Sequence, residues 1–148
     1  MAAIIRAAVA SDLEDLLPLV RGYREFYKQH HDAARERIYM EMNLRERRSI
    51  VFVAVIDERT VGFVQLFRAW STVYLAPSFI LEDLFVEERA RGAGVATALL
   101  ERAVKYARTT GAAGMFLETA FDNDRAQRVY ERSGWTREGR FLKFNAPL

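Results

Sequence analysis

At 148 residues, with 51% apolar and 28% charged side chains, the chain has the make-up of one folded domain and not of a disordered or fibrous protein. Almost all of its 22 basic residues are arginine, yet the net charge is only +2 and acidic residues are interleaved throughout, which argues against a nucleic-acid partner. The absence of cysteine excludes disulfides and thiolate chemistry, and the only histidines, His30 and His31, are sequence neighbours poorly placed to share a metal, so no metal is expected. The longest uncharged run, residues 69–81, is too short and too broken by Pro77 to cross a bilayer, and Arg6 precedes any signal-like core. A cytoplasmic protein with no membrane partner is therefore predicted.

Residues 4–9 are expected to form a first strand. Ser11 and Glu14 then make a capping-box pattern at the start of a helix carrying Leu13, Leu16, Leu17, Val20, Tyr23 and Tyr27, with a kink or break at Pro18. A second helix is predicted over residues 32–47, burying Ile38 and Met42. Residues 49–56 and 60–68 read as two antiparallel strands joined by a tight turn at Asp57, Glu58 and Arg59, with Gly62 as a bulge. After a loop carrying Trp70, Tyr74 and Pro77, a third apolar run over residues 79–86 leads into a glycine turn and a helix over residues 94–108. Residues 114–119 are expected to be another strand. A short helix capped by Asn123 then runs to a stop at Gly134, and two strand-like pieces, 135–138 and 141–144, close the chain.

The glycine turn, Arg89-Ala90-Arg91-Gly92-Ala93-Gly94-Val95-Ala96, stands where a strand passes into a helix. Glycines there let backbone amides approach a ligand, and the helix N-terminus behind them favours an anion, so a phosphate-carrying ligand is expected. Coenzyme A and dinucleotides both fit. A dinucleotide fold asks for a third glycine where Thr97 stands, although Glu118, at the end of the next strand, would suit its ribose-binding carboxylate.

Arg89-x-x-Gly92-x-Gly94 resembles the acetyl-coenzyme A signature of the GNAT N-acetyltransferases. Asn123-x-x-Ala126-x-x-x-Tyr130-Glu131-x-x-Gly134-Trp135 is similar to that family's later segment. The resemblance implies one α/β acetyltransferase domain over residues 1–148, with a strongly twisted, mostly antiparallel mixed sheet flanked by helices. Its fourth and fifth strands would splay apart, with coenzyme A in the gap. Leu84, Phe85 and Val86 would pair with the pantetheine arm, and the amides of Gly92, Ala93, Gly94, Val95, Ala96 and Thr97 would hold the pyrophosphate. Arg89 and Arg91 would add positive charge, and Asn123, Ala126 and Tyr130 would complete the cofactor site.

Acetyl transfer to an amine needs a deprotonated nucleophile, a donor for the oxygen that gains charge, and a proton for the departing thiolate. A phenol of ordinary pKa near 10 suits the last task, and the resemblance brings Tyr130 to the sulfur. It also implies that a backbone N–H between Leu84 and Val86, freed by a bulge there, serves the oxygen.

Glu82 and Asp83 are two adjacent carboxylates in an otherwise apolar strand. Ordinary alternation sends them to opposite faces, so only a bulge or cleft lets both reach one substrate. Leu-Glu-Asp-Leu-Phe-Val running into the glycine turn is most similar to the spermidine/spermine and thialysine acetyltransferase branch. Carried over from it, Glu82 assists deprotonation through water and Asp83 binds an acceptor ammonium. The function implied is acetyl transfer to a small cationic amine (a polyamine, diamine or lysine analogue) by a homodimer. Acetylation of a protein N-terminus or lysine, and a non-catalytic acyl-coenzyme A sensor, are the alternatives.

Overall fold

The computed structural model of the chain describes residues 2–148, in two compact units, one ending at Glu118 and the other spanning residues 119–148. The first unit runs β1 (Ile4–Ala7), a 3-10 turn (Ala10–Asp12), α1 (Leu13–Phe26), α2 (Ala33–Arg45), β2 (Ile50–Ile56), β3 (Arg59–Ser71), β4 (Ala76–Val86), a second 3-10 turn (Glu88–Ala90), α3 (Val95–Thr109) and β5 (Gly114–Phe116). The strands form one sheet in sequence order, antiparallel except for the parallel β4–β5 pair. The second unit carries α4 (Asp124–Arg132).

Helices on both faces explain why β2 and β3 read as continuous apolar runs. Leu13, Leu16, Leu19 and Val20 of α1 and Met40 of α2 pack on Val51, Val53 and Phe63. On the other face Tyr106 of α3 stands edge-on to both Phe52 and Phe79, with ring centroids 5.7 Å apart in each pair, and Arg102 lies over Phe52. The β2–β3 turn places Asp57 and Glu58 at φ 49° and 63°, the left-handed pair whose twist matches a two-residue hairpin.

Several local expectations shift. Asp12 stands at the N-cap position of α1 without a side-chain bond to the helix's own amides, and Ser11 and Glu14 form no capping box there. Asp12 accepts from the Val9 N–H at 2.7 Å and from Arg6 of β1 through two 2.8 Å bonds, while Glu14 pairs with Arg37. The two-pronged Arg6 contact ties the start of α1 to β1. Helix α1 continues through Pro18 without ending. The buried side of α2 is Glu36, Met40 and Asn43, whereas Ile38 is 57% exposed. Trp70 and Pro77 lie inside β3 and β4, leaving a loop of only residues 72–75. Residues 135–148 carry no strand; with no pairing neighbour, alternation alone does not make one.

The β2–β3 bulge falls at Val61, one residue before Gly62: Ala54 pairs with Gly62 and Val55 with Thr60. Gly62 answers a different need. A Cβ there would stand 2.9 Å from the Phe85 carbonyl oxygen and 3.3 Å from Leu99. Gly62→Ala is expected to cost about 1–3 kcal/mol through the forced shift of two packed layers. An unchanged urea midpoint would show that β4 moves aside freely.

Candidate active site

A second bulge shapes the centre of the sheet. Gln65 pairs with Asp83 and Leu66 with Leu81, so Glu82 is the extra residue of β4. This is the device that the adjacent carboxylates required, and it turns Leu81 to the face opposite Asp83, beside buried Leu66. It also corrects the expected bulge between Leu84 and Val86: those residues pair regularly with Val64, Phe63 and Gly62.

Asp83 is held by a buried polar chain that starts on α2. Gln65, only 1% exposed, receives the Asn43 amide at 3.1 Å and the Ser49 hydroxyl at 2.6 Å on its Oε1. With its oxygen so occupied, its Nε2 faces Asp83 and donates to Oδ2 at 2.6 Å. The Tyr23 hydroxyl donates to the Glu82 carbonyl at 3.1 Å and is a further partner of Asp83. Burial pushes the Asp83 carboxyl up to about 6, and the Glu82 charge adds to the rise against the pull of Gln65 and Tyr23. The Tyr39 phenol is raised by burial against the pull of an Asn43 hydrogen bond, and the Asp83 and Glu82 charges add to the rise; Glu82 itself is exposed and does not line the cavity that Asp83 and Tyr39 share.

Asp83, Gln65 and Tyr39 line a cavity of about 340 Å³ between α1, α2 and the sheet, with Tyr23, Arg24, Arg35 and Glu36 also on its wall. Glu36 is buried and carries Arg24 at 2.7 Å and His31 at 2.9 Å. Burial raises its pKa, but the Arg24 hydrogen bond, the Asp32 N–H and the facing His31 and Arg24 charges outweigh it and hold the carboxyl below its ordinary value. Gln65, Asn43, Ser49 and Glu36 were not singled out in the sequence. Their only signal is an isolated polar residue in an apolar run or on an amphipathic helix, which names no partner.

The other side of β4 is where the sheet opens. Strand β5 pairs with Ser78, Phe79 and Ile80, so beyond Ile80 the backbone groups of β4 that face away from β3 have no strand neighbour among the described residues. Past Val86, Gly92 and Gly94 take φ of 80° and 79°, with nothing within 4 Å of where a Cβ would be. Gly94 caps α3 without a side-chain acceptor, so Val95, Ala96 and Thr97 present first-turn amides. Arg91 is tied to the strand, donating to the Val86 carbonyl at 2.8 Å and stacking on Phe85, whereas Arg89 is exposed, 3.7 Å from Glu87.

In the second unit, Asn123 caps α4 by accepting the Ala126 N–H at 3.2 Å, and Gly134 ends the turn at φ 88°. Tyr130 lies on α4 with its ring 6.3 Å from that of Trp135, and the Trp135 backbone N–H donates to the Tyr130 carbonyl at 3.0 Å. Among the described residues no group of three or more His, Asp or Glu side chains comes together as a metal-ligand set, and no helix is long and apolar enough to cross a membrane.

A model of the acetyltransferase (GNAT) family matches residues 13–135. The chain is 34% identical over 140 residues to an uncharacterized N-acetyltransferase, YhfO, of Bacillus subtilis, covering 95% of this chain and 94% of that relative. It is 32% identical over 110 residues to a probable acetyltransferase of Haemophilus influenzae, covering 74% and 75%. A crystal structure of a probable acetyltransferase superposes with a TM-score of 0.93 at 36% identity, covering 98% of this chain and 97% of that one. The chain belongs to the acetyltransferase (GNAT) family, enzymes that use acetyl-coenzyme A as co-substrate, and it is an N-acetyltransferase.

Proposed function

We propose that the enzyme acetylates the primary amine of a small cationic molecule, a polyamine, diamine or lysine analogue. The observation that carries this reading is the Asp83 carboxylate on the wall of a molecule-sized cavity, supported by a dedicated hydrogen-bond chain. At neutral pH a carboxyl titrating near 6 is ionised and attracts an ammonium.

The opening beyond Ile80 and the free space at Gly92 and Gly94 suit coenzyme A. Leu84, Phe85 and Val86 lie along the pantetheine arm in this reading. The amides from Gly92 through Ala93 to Thr97 take the pyrophosphate, with Arg89 and Arg91 as nearby positive charge and Asn123, Ala126 and Tyr130 completing the site. When bound, acetyl-coenzyme A supplies a thioester whose C–S bond is exchanged for the C–N bond of the amide. Asp83 orients the acceptor ammonium, and the exposed Glu82 takes its proton through water. A β4 N–H without a strand neighbour donates to the carbonyl oxygen as charge grows there, and Tyr130 protonates the departing sulfur.

Residues 1–148 act as one domain in this reading, supported by a family match that runs across both compact units. The working form is a cytoplasmic homodimer. Release of free thiol from acetyl-coenzyme A, measured against polyamines, lysine analogues, aminoglycosides and peptides, tests the substrate class. The expected result is turnover of small amines that are cationic at the reacting nitrogen, and not of aminoglycosides or peptides. A blank across the panel, with tight coenzyme A binding, would overturn it in favour of an acyl-coenzyme A sensor.

A further inference from the structure

The charged groups around the Asp83 cavity do not cancel evenly. Four such side chains line it: Arg24, Arg35, Glu36 and Asp83. Arg24 and Glu36 neutralise each other at 2.7 Å, His31 occupies the second Glu36 oxygen, and Arg24 also donates to the His30 carbonyl. The nearby Asp32 carboxylate caps α2 by accepting the Arg35 backbone N–H at 3.1 Å. Asp83 is left with neutral partners, the Gln65 amide and the Tyr23 hydroxyl. Among the described residues the Arg35 guanidinium has no acceptor. The cavity wall therefore carries one uncompensated anion, on the bulged strand, and one uncompensated cation, on α2.

We infer that the acceptor carries an anionic group, a carboxylate or a phosphate, beside its amine, with Arg35 binding the anion and Asp83 the ammonium. The inference rests on the amine-acetylating reading above and narrows it. A wholly cationic polyamine satisfies Asp83 but sets a second ammonium against Arg35. A molecule with both charges satisfies each end, and a guanidinium fork matches carboxylate or phosphate oxygens in two-pronged fashion. Arg35 shares the cavity wall with Glu36, Tyr39 and Met40, a stripe of adjacent and i, i+4 positions on α2, so its placement follows from the helix period.

Matched acceptor pairs test this with the full-length enzyme and acetyl-coenzyme A. Lysine and 1,5-diaminopentane differ only in the carboxylate, and phosphoethanolamine and ethanolamine only in the phosphate. The expected result is at least a tenfold advantage in kcat/KM, carried by KM, for the anionic member of one pair, and the pair that shows it identifies the anion. Arg35→Gln should remove that advantage by lowering the anionic member towards its partner. Equal kcat/KM within both pairs, or an advantage that survives Arg35→Gln, would overturn the inference while leaving amine acetylation intact. If no amine turns over, the reading of the reaction itself fails. Calorimetric titration of the same pairs onto coenzyme A-saturated protein then decides the role of Arg35, since equal or absent binding within both pairs overturns it.

Discussion

Asp83→Asn is expected to stabilise the fold at pH 8, by up to about 3 kcal/mol, while it cripples the capture of cationic acceptors. The carboxyl titrates near 6 in the fold against 3.8 for an unperturbed aspartate, because burial disfavours the charge. A raised carboxyl pKa means that the native state binds the proton more tightly than the unfolded chain does. The Asp83 contribution to stability is then full below about 4 and is lost as the pH rises to about 6, by roughly 1.4 kcal/mol per unit of difference. Asparagine abolishes the ionisation and still offers an oxygen to Gln65. Urea unfolding at several pH values should therefore show a gap between variant and wild type that is widest at pH 8 and narrows as the pH falls towards 4. A gap independent of pH would show that the carboxylate is not strained by its site.

The same substitution should raise KM for polyamines and diamines tenfold or more, with a much smaller effect on weakly basic amines that bind uncharged. Equal effects on both would detach Asp83 from acceptor charge. The stability gain and the binding loss share one cause. A desolvated carboxylate is costly to the fold and attractive to an ammonium, the usual tension between stability and a prepared site.

What the sequence discloses is set by how local each device is. Residues 50–56 are legible as a strand because Val, Ile and Phe fill it around the single Ala54, and α3 because Leu99, Leu100, Ala103 and Ala107 repeat at helical spacing. Asn123 and Gly134 are legible for a similar reason, since a cap and a left-handed stop need only nearby residues. The anchoring of Asp12 is different, because it depends on Arg6 reaching over from β1. So is the bulge. Glu82 and Asp83 announce that an apolar strand has been interrupted, but only the register of β3 against β4 puts the extra residue at Glu82. Gln65 and Asn43 hide for a related reason: each is a single polar residue in a buried setting, and its role appears only when the helix brings Asn43 to Gln65 and the strand brings Gln65 to Asp83. Local backbone devices such as the positive-φ glycines of the turn are thus readable, and the candidate site is poorly readable where side chains from α1, α2 and β3 converge.

Tyr130→Phe should lower kcat by roughly 10²-fold or more and leave coenzyme A affinity within a few-fold, the usual scale for loss of a positioned acid. Phenylalanine keeps the ring that lies 6.3 Å from Trp135, and the backbone bond from the Trp135 N–H to the residue 130 carbonyl is indifferent to the hydroxyl, so α4 should be preserved. What disappears is a phenolic proton, and phenols as a class match thiolates in basicity. This match supplies a second readout. Thioester donors with more acidic thiols depend less on protonation as they leave, so the penalty of Tyr130→Phe should shrink with such a donor. A constant penalty across donors would assign Tyr130 to positioning, and an equal loss in coenzyme A affinity and in kcat would make it a cofactor-binding residue instead.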